Sequence, residues 1–163
     1  MVYTMVMYVD GGCRNNGYSD AFGAAAVVIK QRWGRSRVWT WALPDYPQAT
    51  SQRAELEAII HALELAQDKA NEMDNTPFMK VTIYTDSKYA YGCMTDWSFK
   101  WRGNGWINSA GNEVANRDLI EKAVDLENAI DENGHVSYAW ISRSENQDAD
   151  DAVNERLDEN EDG

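Results

Sequence analysis

Apolar and polar positions along the chain fall into two periods. Val2 to Val9 is an aromatic and β-branched run closed by Asp10 and Gly11-Gly12, which predicts a first strand over about 2–10 that stops at the glycines. Two further strands, about 22–31 and 35–43, follow across Gly-containing segments, the second joint being Gln31-Arg32-Trp33-Gly34, so the three read as an antiparallel meander. Then the period lengthens. Leu56, Ile59, Ile60, Leu63 and Ala66 recur at about 3.6-residue spacing and predict a helix over 51–72, with Thr50 or Ser51 as N-cap. A strand (79–85), a helix (87–97), a short helix and loop, a helix (115–131), a strand (135–141) and a helix (146–157) complete the order. The later strands alternate with helices and should add in parallel. The expected fold is α/β, a mixed five-stranded sheet of three antiparallel strands and then two parallel ones, flanked by helices on both faces.

Length and composition keep this picture simple. At 163 residues and 44% hydrophobic, residues 1–163 suit a single domain with a sizeable core, and 158–163 read as a frayed acidic tail. No apolar stretch approaches the ~20 residues that cross a bilayer. Met1 to Val9 lacks a basic leader region and is read as the first strand, not a signal peptide. Cys13 and Cys93 make no metal-ligand pattern, in keeping with a reduced, intracellular, cytoplasmic monomer.

Charge complicates it. The formal net charge is -12, but residues 145–163 hold nine acids and one arginine, a local charge of -8 that leaves -4 on residues 1–144. Lys30, Arg32, Arg35 and Arg37 make one basic cluster. Lys100 and Arg102 sit among Trp97, Trp101 and Trp106 in another, which suits a surface for stacking and phosphate binding, with core packing as the competing explanation.

Four acids stand out by context. Asp10 and Asp86 each end a strand-like run, Glu55 lies in the first turns of a helix, and Asp150 follows Asn146 by four positions at the start of the last helix. Such an order sends all four to one end of the sheet. Clustered carboxylates raise each other's pKa unless cations hold them, and an all-oxygen site suits Mg²⁺ or Mn²⁺. One such acid alone is more often a turn residue or helix cap; the ordered set of four is the signal.

The words around the acids are recognisable. Tyr8-Val-Asp-Gly-Gly-Cys-Arg-Asn-Asn-Gly17, Thr50-Ser-Gln-Arg-Ala-Glu-Leu56, Tyr84-Thr-Asp-Ser-Lys-Tyr89 and Asn146-Gln-Asp-Ala-Asp150 resemble, in order, the motifs of type 1 ribonuclease H. Trp97 to Trp106 and Ser109 to Asn116 look like the basic protrusion of its cellular members. The resemblance runs from about Tyr3 to Leu157. It implies endonucleolytic hydrolysis of the RNA strand of RNA–DNA hybrids by two metal ions, Mg²⁺ with Mn²⁺ as substitute, leaving 5′-phosphate and 3′-hydroxyl ends. It also implies roles: Asp10 bridging both metals, Glu55 and Asp86 on the leaving-group metal, Asp150 on the nucleophile metal. Asn16, Ser51 and Gln52 would meet RNA 2′-hydroxyls, Thr50 and Asn116 a DNA phosphate, and Trp97, Trp101 and Ser109 the DNA strand.

The chain departs from the family pattern in places. Ser51 stands where many members have Asn. The loop before the last acid is short, with Ser144 where many cellular members carry a histidine. Neither His61, read as a packing or surface residue, nor His135 replaces it by sequence. Asp148 and Asp151 flank Asp150, and the Asn146 spacing selects Asp150. A hybrid-binding module without turnover, or another nuclease on this sheet such as a resolvase, are the competing functions. All four acids argue against the first; the complete protrusion, Asn16 and Gln52 argue against the second.

Overall fold

The computed structural model describes residues 1–31 and 33–162, apart from the side chain of Asp162; Arg32 of the first basic cluster and Gly163 of the acidic tail lie outside the described residues. Strands β1 (Val2–Arg14), β2 (Phe22–Ile29), β3 (Arg37–Ala42), β4 (Phe78–Thr85) and β5 (Gly134–Trp140) form one sheet in the order β3-β2-β1-β4-β5. The first three pair antiparallel, whereas β4 and β5 add in parallel, as the alternation of elements requires. The helices are α1 (Ser51–Glu72), α2 (Lys88–Gly92), α3 (Ser98–Asn104), α4 (Arg117–Asp131) and α5 (Gln147–Asp162). A π-helical turn over Cys93–Trp97 joins α2 to α3.

Two cores sandwich the sheet. Met7, Val9, Ala25, Val27, Val81 and Ile83 pack with Leu56, Ile59, Ile60 and Leu63 of α1 and with Ile120 of α4. On the opposite face Ala24 and Ala26 meet Ala152, Val153 and Leu157 of α5. Strand β2 is therefore buried on both sides, which is why it reads as a continuous apolar run.

Two ends differ from expectation. Strand β1 does not stop at Gly11-Gly12 but stays paired with β2 through Arg14↔Phe22. Only its parallel ladder with β4 ends there, at Val9↔Thr85. Helix α5 runs past Leu157 to Asp162, and Arg14 forms ion pairs with its Asp158 and Glu161, each at 2.7 Å. No described helix is long and apolar enough to cross a membrane.

Candidate active site

Register brings the first two acids together. Val9 and Thr85 are partners at the last rung of the parallel β1–β4 ladder, so Asp10 and Asp86 follow it side by side. Glu55 arrives from α1, whose start is set by Thr50: its side chain accepts the Arg53 N–H at 3.0 Å. What allows this helix so close is Gly11. A Cβ there would lie 2.2 Å from the Ala54 carbonyl carbon and 2.5 Å from the Glu55 nitrogen.

Asp10, Glu55 and Asp86 each present a carboxylate oxygen within 4.8 Å of the others, the only such group of metal-ligating side chains among the described residues. Asp150 joins from α5, near enough for its charge to raise the Asp10 pKa. Its neighbours face elsewhere: Asp148 pairs with Lys30 at 2.9 Å, and Asp151 accepts from Gln147 at 2.8 Å. The start of α5 is pinned by Asn146, 1% exposed, whose Nδ2 donates to the Val9 carbonyl at 2.9 Å and to Asp86 at 3.3 Å.

Electrostatically this is an unfavourable cluster. Burial, then the charges of Asp86 and Asp150, push the Asp10 carboxyl up to about 8. Burial first, and then Asp10 and Asp86, raise Glu55 as well. Glu55 Oε2 is buried without a hydrogen-bond partner. An all-carboxylate donor set with an orphaned buried oxygen fits a hard divalent cation.

A stability prediction follows from the sign of the Asp10 shift. Folded Asp10 holds its proton to about pH 8, whereas an unfolded aspartate releases it near pH ~4. Between those values the folded state binds more protons, so stability falls as pH rises. In EDTA, melting temperature should drop from pH 5 to pH 9, and Mg²⁺ should restore it most at the alkaline end. Calorimetric melts across that range check it.

A polar rim adjoins the acids. Asn16 Oδ1 accepts the Ser51 N–H at 3.3 Å, next to Asn15 in the left-handed region. Asn116 sits at the N-cap of α4 in the left-handed region, yet its side chain does not cap. Instead its amide donates to Gln52 at 3.4 Å and to the Tyr89 hydroxyl at 3.0 Å, while its oxygen accepts from Arg53 at 3.4 Å. Arg53 is itself clamped on Asp118 by bonds of 3.0 and 2.7 Å. Asn16, Thr50, Ser51, Gln52 and Asn116 thus converge around the start of α1.

The tryptophans divide. Trp106 is core, whereas Trp97 is 37% exposed and Trp101 half-buried, their rings 6.0 Å apart. Ser109 is exposed in the following loop, as are Lys100 and Arg102 on α3. His61 stacks flat on Trp41 at 3.9 Å between Glu57 and Glu64, a packing residue, and His135 is exposed on β5. Ser144 lies on a 3-10 turn over Arg143–Glu145. Three residues at the site escaped sequence reasoning: Arg143, Arg53 and Tyr89. No periodicity marks them; Arg53 and Tyr89 were visible only as members of the quoted motifs, and Arg143 only as part of the short loop before the last acid.

Known proteins resemble this chain in sequence and in fold. The family model described as RNase H matches residues 3–158. A ribonuclease H of Francisella tularensis subsp. novicida is 28% identical over 160 residues, spanning 94% of this chain and 90% of that protein. Among solved structures, RNase H1 from the halophilic archaeon Halobacterium salinarum NRC-1 superposes with a TM-score of 0.65 at 23% identity, covering 96% of this chain and 99% of that one. LC11-RNase H1 in complex with RNA/DNA hybrid gives 0.61 at 24% identity, covering 93% and 94%. At these identities the two structures speak to fold alone.

Proposed function

The chain belongs to the RNase H family and is a ribonuclease H hydrolase; from that premise we propose that it cuts the RNA strand of RNA–DNA hybrids internally, as a single-domain monomer, with Asp10, Glu55, Asp86 and Asp150 as its working acids. The observation that carries this reading is the convergence of three carboxylates within 4.8 Å, with Asp150 beside Asp10.

The acids would hold two Mg²⁺ ions, with Mn²⁺ as a substitute. When bound, such cations offset the charge of the carboxylates and of the phosphate and make water a better nucleophile at neutral pH. Asp10, buried beside the other acids, would be a ligand of both ions. Asn146 fixes the angle of Asp86 and anchors the start of α5, so the Asp86 and Asp150 carboxylates are oriented before substrate arrives. Water adds to phosphorus and the P–O3′ bond breaks, leaving a 5′-phosphate on one fragment and a 3′-hydroxyl on the other.

Choice of substrate belongs to the rim. RNA differs from DNA at a given site by its 2′-hydroxyl, which donates and accepts. Asn16, Ser51 and Gln52 offer amide and hydroxyl partners for it beside Glu55. Asn116 and Thr50 would meet a DNA phosphate, the Asn116 amide exchanging its hydrogen bond to Gln52 for a phosphate oxygen while Tyr89 and Arg53 hold it. Trp97 and Trp101, with Ser109 beyond them, would carry the DNA strand by stacking, worth about 1–3 kcal/mol per base. Accordingly, Trp97→Ala with Trp101→Ala should raise KM by about tenfold or more and leave kcat near its original value at saturating hybrid. Steady-state kinetics with a melting curve check this, since an unchanged KM and a collapsed melting temperature would make both rings structural.

The function itself is tested by incubating the protein with labelled hybrid, RNA duplex, DNA duplex and single strands, in Mg²⁺ or EDTA. Cleavage confined to the RNA of the hybrid and abolished by EDTA is expected. Binding of hybrid without cleavage in Mg²⁺ would refute it.

A further inference from the structure

The basic run Lys30, Arg32, Arg35 and Arg37 belongs neither to the carboxylate site nor to the protrusion. Lys30 and Arg37 line a cleft of about 630 Å³, a size that takes a small ligand, between edge strand β3, the start of β1 and the second half of α1. Its far end, at Tyr3, lies about 23 Å along β1 from Asp10 at ~3.3 Å per residue. Period two sends Arg37, Trp39 and Trp41 of β3 to the face that α1 covers. Trp41 is absorbed there, packed on the core and stacked on His61. Trp39 instead lines the cleft, with the Arg37 guanidinium over its ring at 4.7 Å. Lys69 of α1 lies over Tyr3 at 5.6 Å, and Trp33, in the β2–β3 turn, is 82% exposed.

Three aromatic rings thus meet three cations, Lys30, Arg37 and Lys69, against two acids, Asp68 and Glu72. On a chain of net charge -12 this corner carries a local excess of positive charge. The cations are available to a ligand. Lys30 pairs with Asp148 at 2.9 Å and Lys69 with Glu72 at 3.2 Å, surface pairs that add little to stability and exchange readily, and Arg37 makes no ion pair among the described residues. An aromatic floor edged by such cations suits a flat ring that carries a phosphate. The rings take a base by stacking whatever its identity, the cations take the phosphate, and Asp68 and Glu72 can accept from exocyclic amino groups.

We propose that this cleft binds single-stranded nucleic acid, with a base against the Trp39 ring and its phosphate on the Arg37 guanidinium, as a second site separate from the carboxylates. A duplex hides the faces of its bases, so only an unpaired strand can use the rings.

The test titrates the full chain into labelled single-stranded DNA, single-stranded RNA of the same sequence and blunt RNA–DNA hybrid in EDTA, reading fluorescence anisotropy, with AMP as competitor. The natural protein, Trp39→Ala, Trp39→Phe and Arg37→Ala are compared and their melting temperatures recorded. Trp39→Ala should weaken single-strand binding roughly 5- to 100-fold, the worth of one stacked base, while Phe keeps most of the affinity. Arg37→Ala should also weaken it and flatten the slope of log affinity against log salt by about 0.7, one phosphate contact on a single strand. Affinity for blunt hybrid should hold in all three variants. A loss with either strand supports the proposal, and the tighter of the two identifies the ligand. Unchanged single-strand affinity in folded Trp39→Ala and Arg37→Ala proteins would overturn it. So would an equal loss for blunt hybrid, or AMP competing as well as an oligonucleotide, which would make the cleft a free-nucleotide site. If Trp39→Ala does not fold, Arg37→Ala, exposed on β3, decides through affinity and salt slope. Failure here leaves the hydrolytic reading untouched, since no arm measures cleavage.

Discussion

Asp10→Asn should abolish hydrolysis of the hybrid, by roughly 10³-fold or more, and at the same time raise the melting temperature of the metal-free protein at pH 8. The two effects have one cause. Asp10 is 4% exposed and faces Glu55, Asp86 and Asp150, so its carboxyl is held up to about 8 by burial and then by neighbouring charge. As pH rises the folded protein must either keep that proton or bear a buried, unpaired charge, and both cost stability. An amide of the same shape removes the cost. It also removes the ligand central to the cluster, and cation stabilisation of a phosphoryl transition state is worth several kcal/mol, with each ~1.4 kcal/mol a factor of ten. A variant that melts lower in EDTA, or retains substantial Mg²⁺-dependent turnover, would show that Asp10 is a structural acid. Calorimetry and single-turnover kinetics read the two halves separately.

Gly11→Ala should damage the protein and its chemistry together. The added methyl would fall 2.2 to 2.5 Å from the backbone of Ala54 and Glu55, and backbone cannot swing aside as a flexible side chain can. Helix α1 must retreat from β1. Overpacking of this kind costs about 1–3 kcal/mol and occasionally more. Because Glu55 rides on that helix, its carboxylate retreats from Asp10, and a displacement near 1 Å at a reacting centre costs on the order of 10²-fold in rate. Urea unfolding and cleavage assays on one preparation check both, and natural stability with natural turnover would contradict the role given to this glycine.

The same glycine shows where a sequence stops being informative. Local rules make Gly-Gly after an apolar run a strand terminator, but here β1 continues through it to Arg14, because the position serves contact with α1 some forty residues later. Asp10 still reached its place: the end of the parallel ladder with β4, not the end of β1, sets it. The sheet was legible because period-2 and period-3.6 patterns are local. The extension of α5 was not, since Arg14, which pairs with Asp158 and Glu161, lies at the other end of the chain. Asn116 precedes α4, which starts at Arg117 and not at 115, and its left-handed backbone sends the side chain away from the cap to Tyr89 and Gln52. Three tryptophans within ten residues read alike, and only packing separates buried Trp106 from Trp97. Arg143 carried no pattern at all; it gains meaning only once the turn after β5 places it beside Asp150.

The central claim is that clustered carboxylates, through divalent cations, direct water onto an RNA phosphate with the 3′ oxygen as leaving group. Cleaving a hybrid in oxygen-18-labelled water and weighing the fragments by mass spectrometry tests it most directly. The account predicts one labelled oxygen on the 5′-phosphate, unlabelled 3′-hydroxyl ends, and no products in EDTA. Fragments ending in 2′,3′-cyclic phosphate, or cleavage that survives EDTA, would mean that the RNA's own 2′-hydroxyl attacks and that the acids at the end of this sheet do something else.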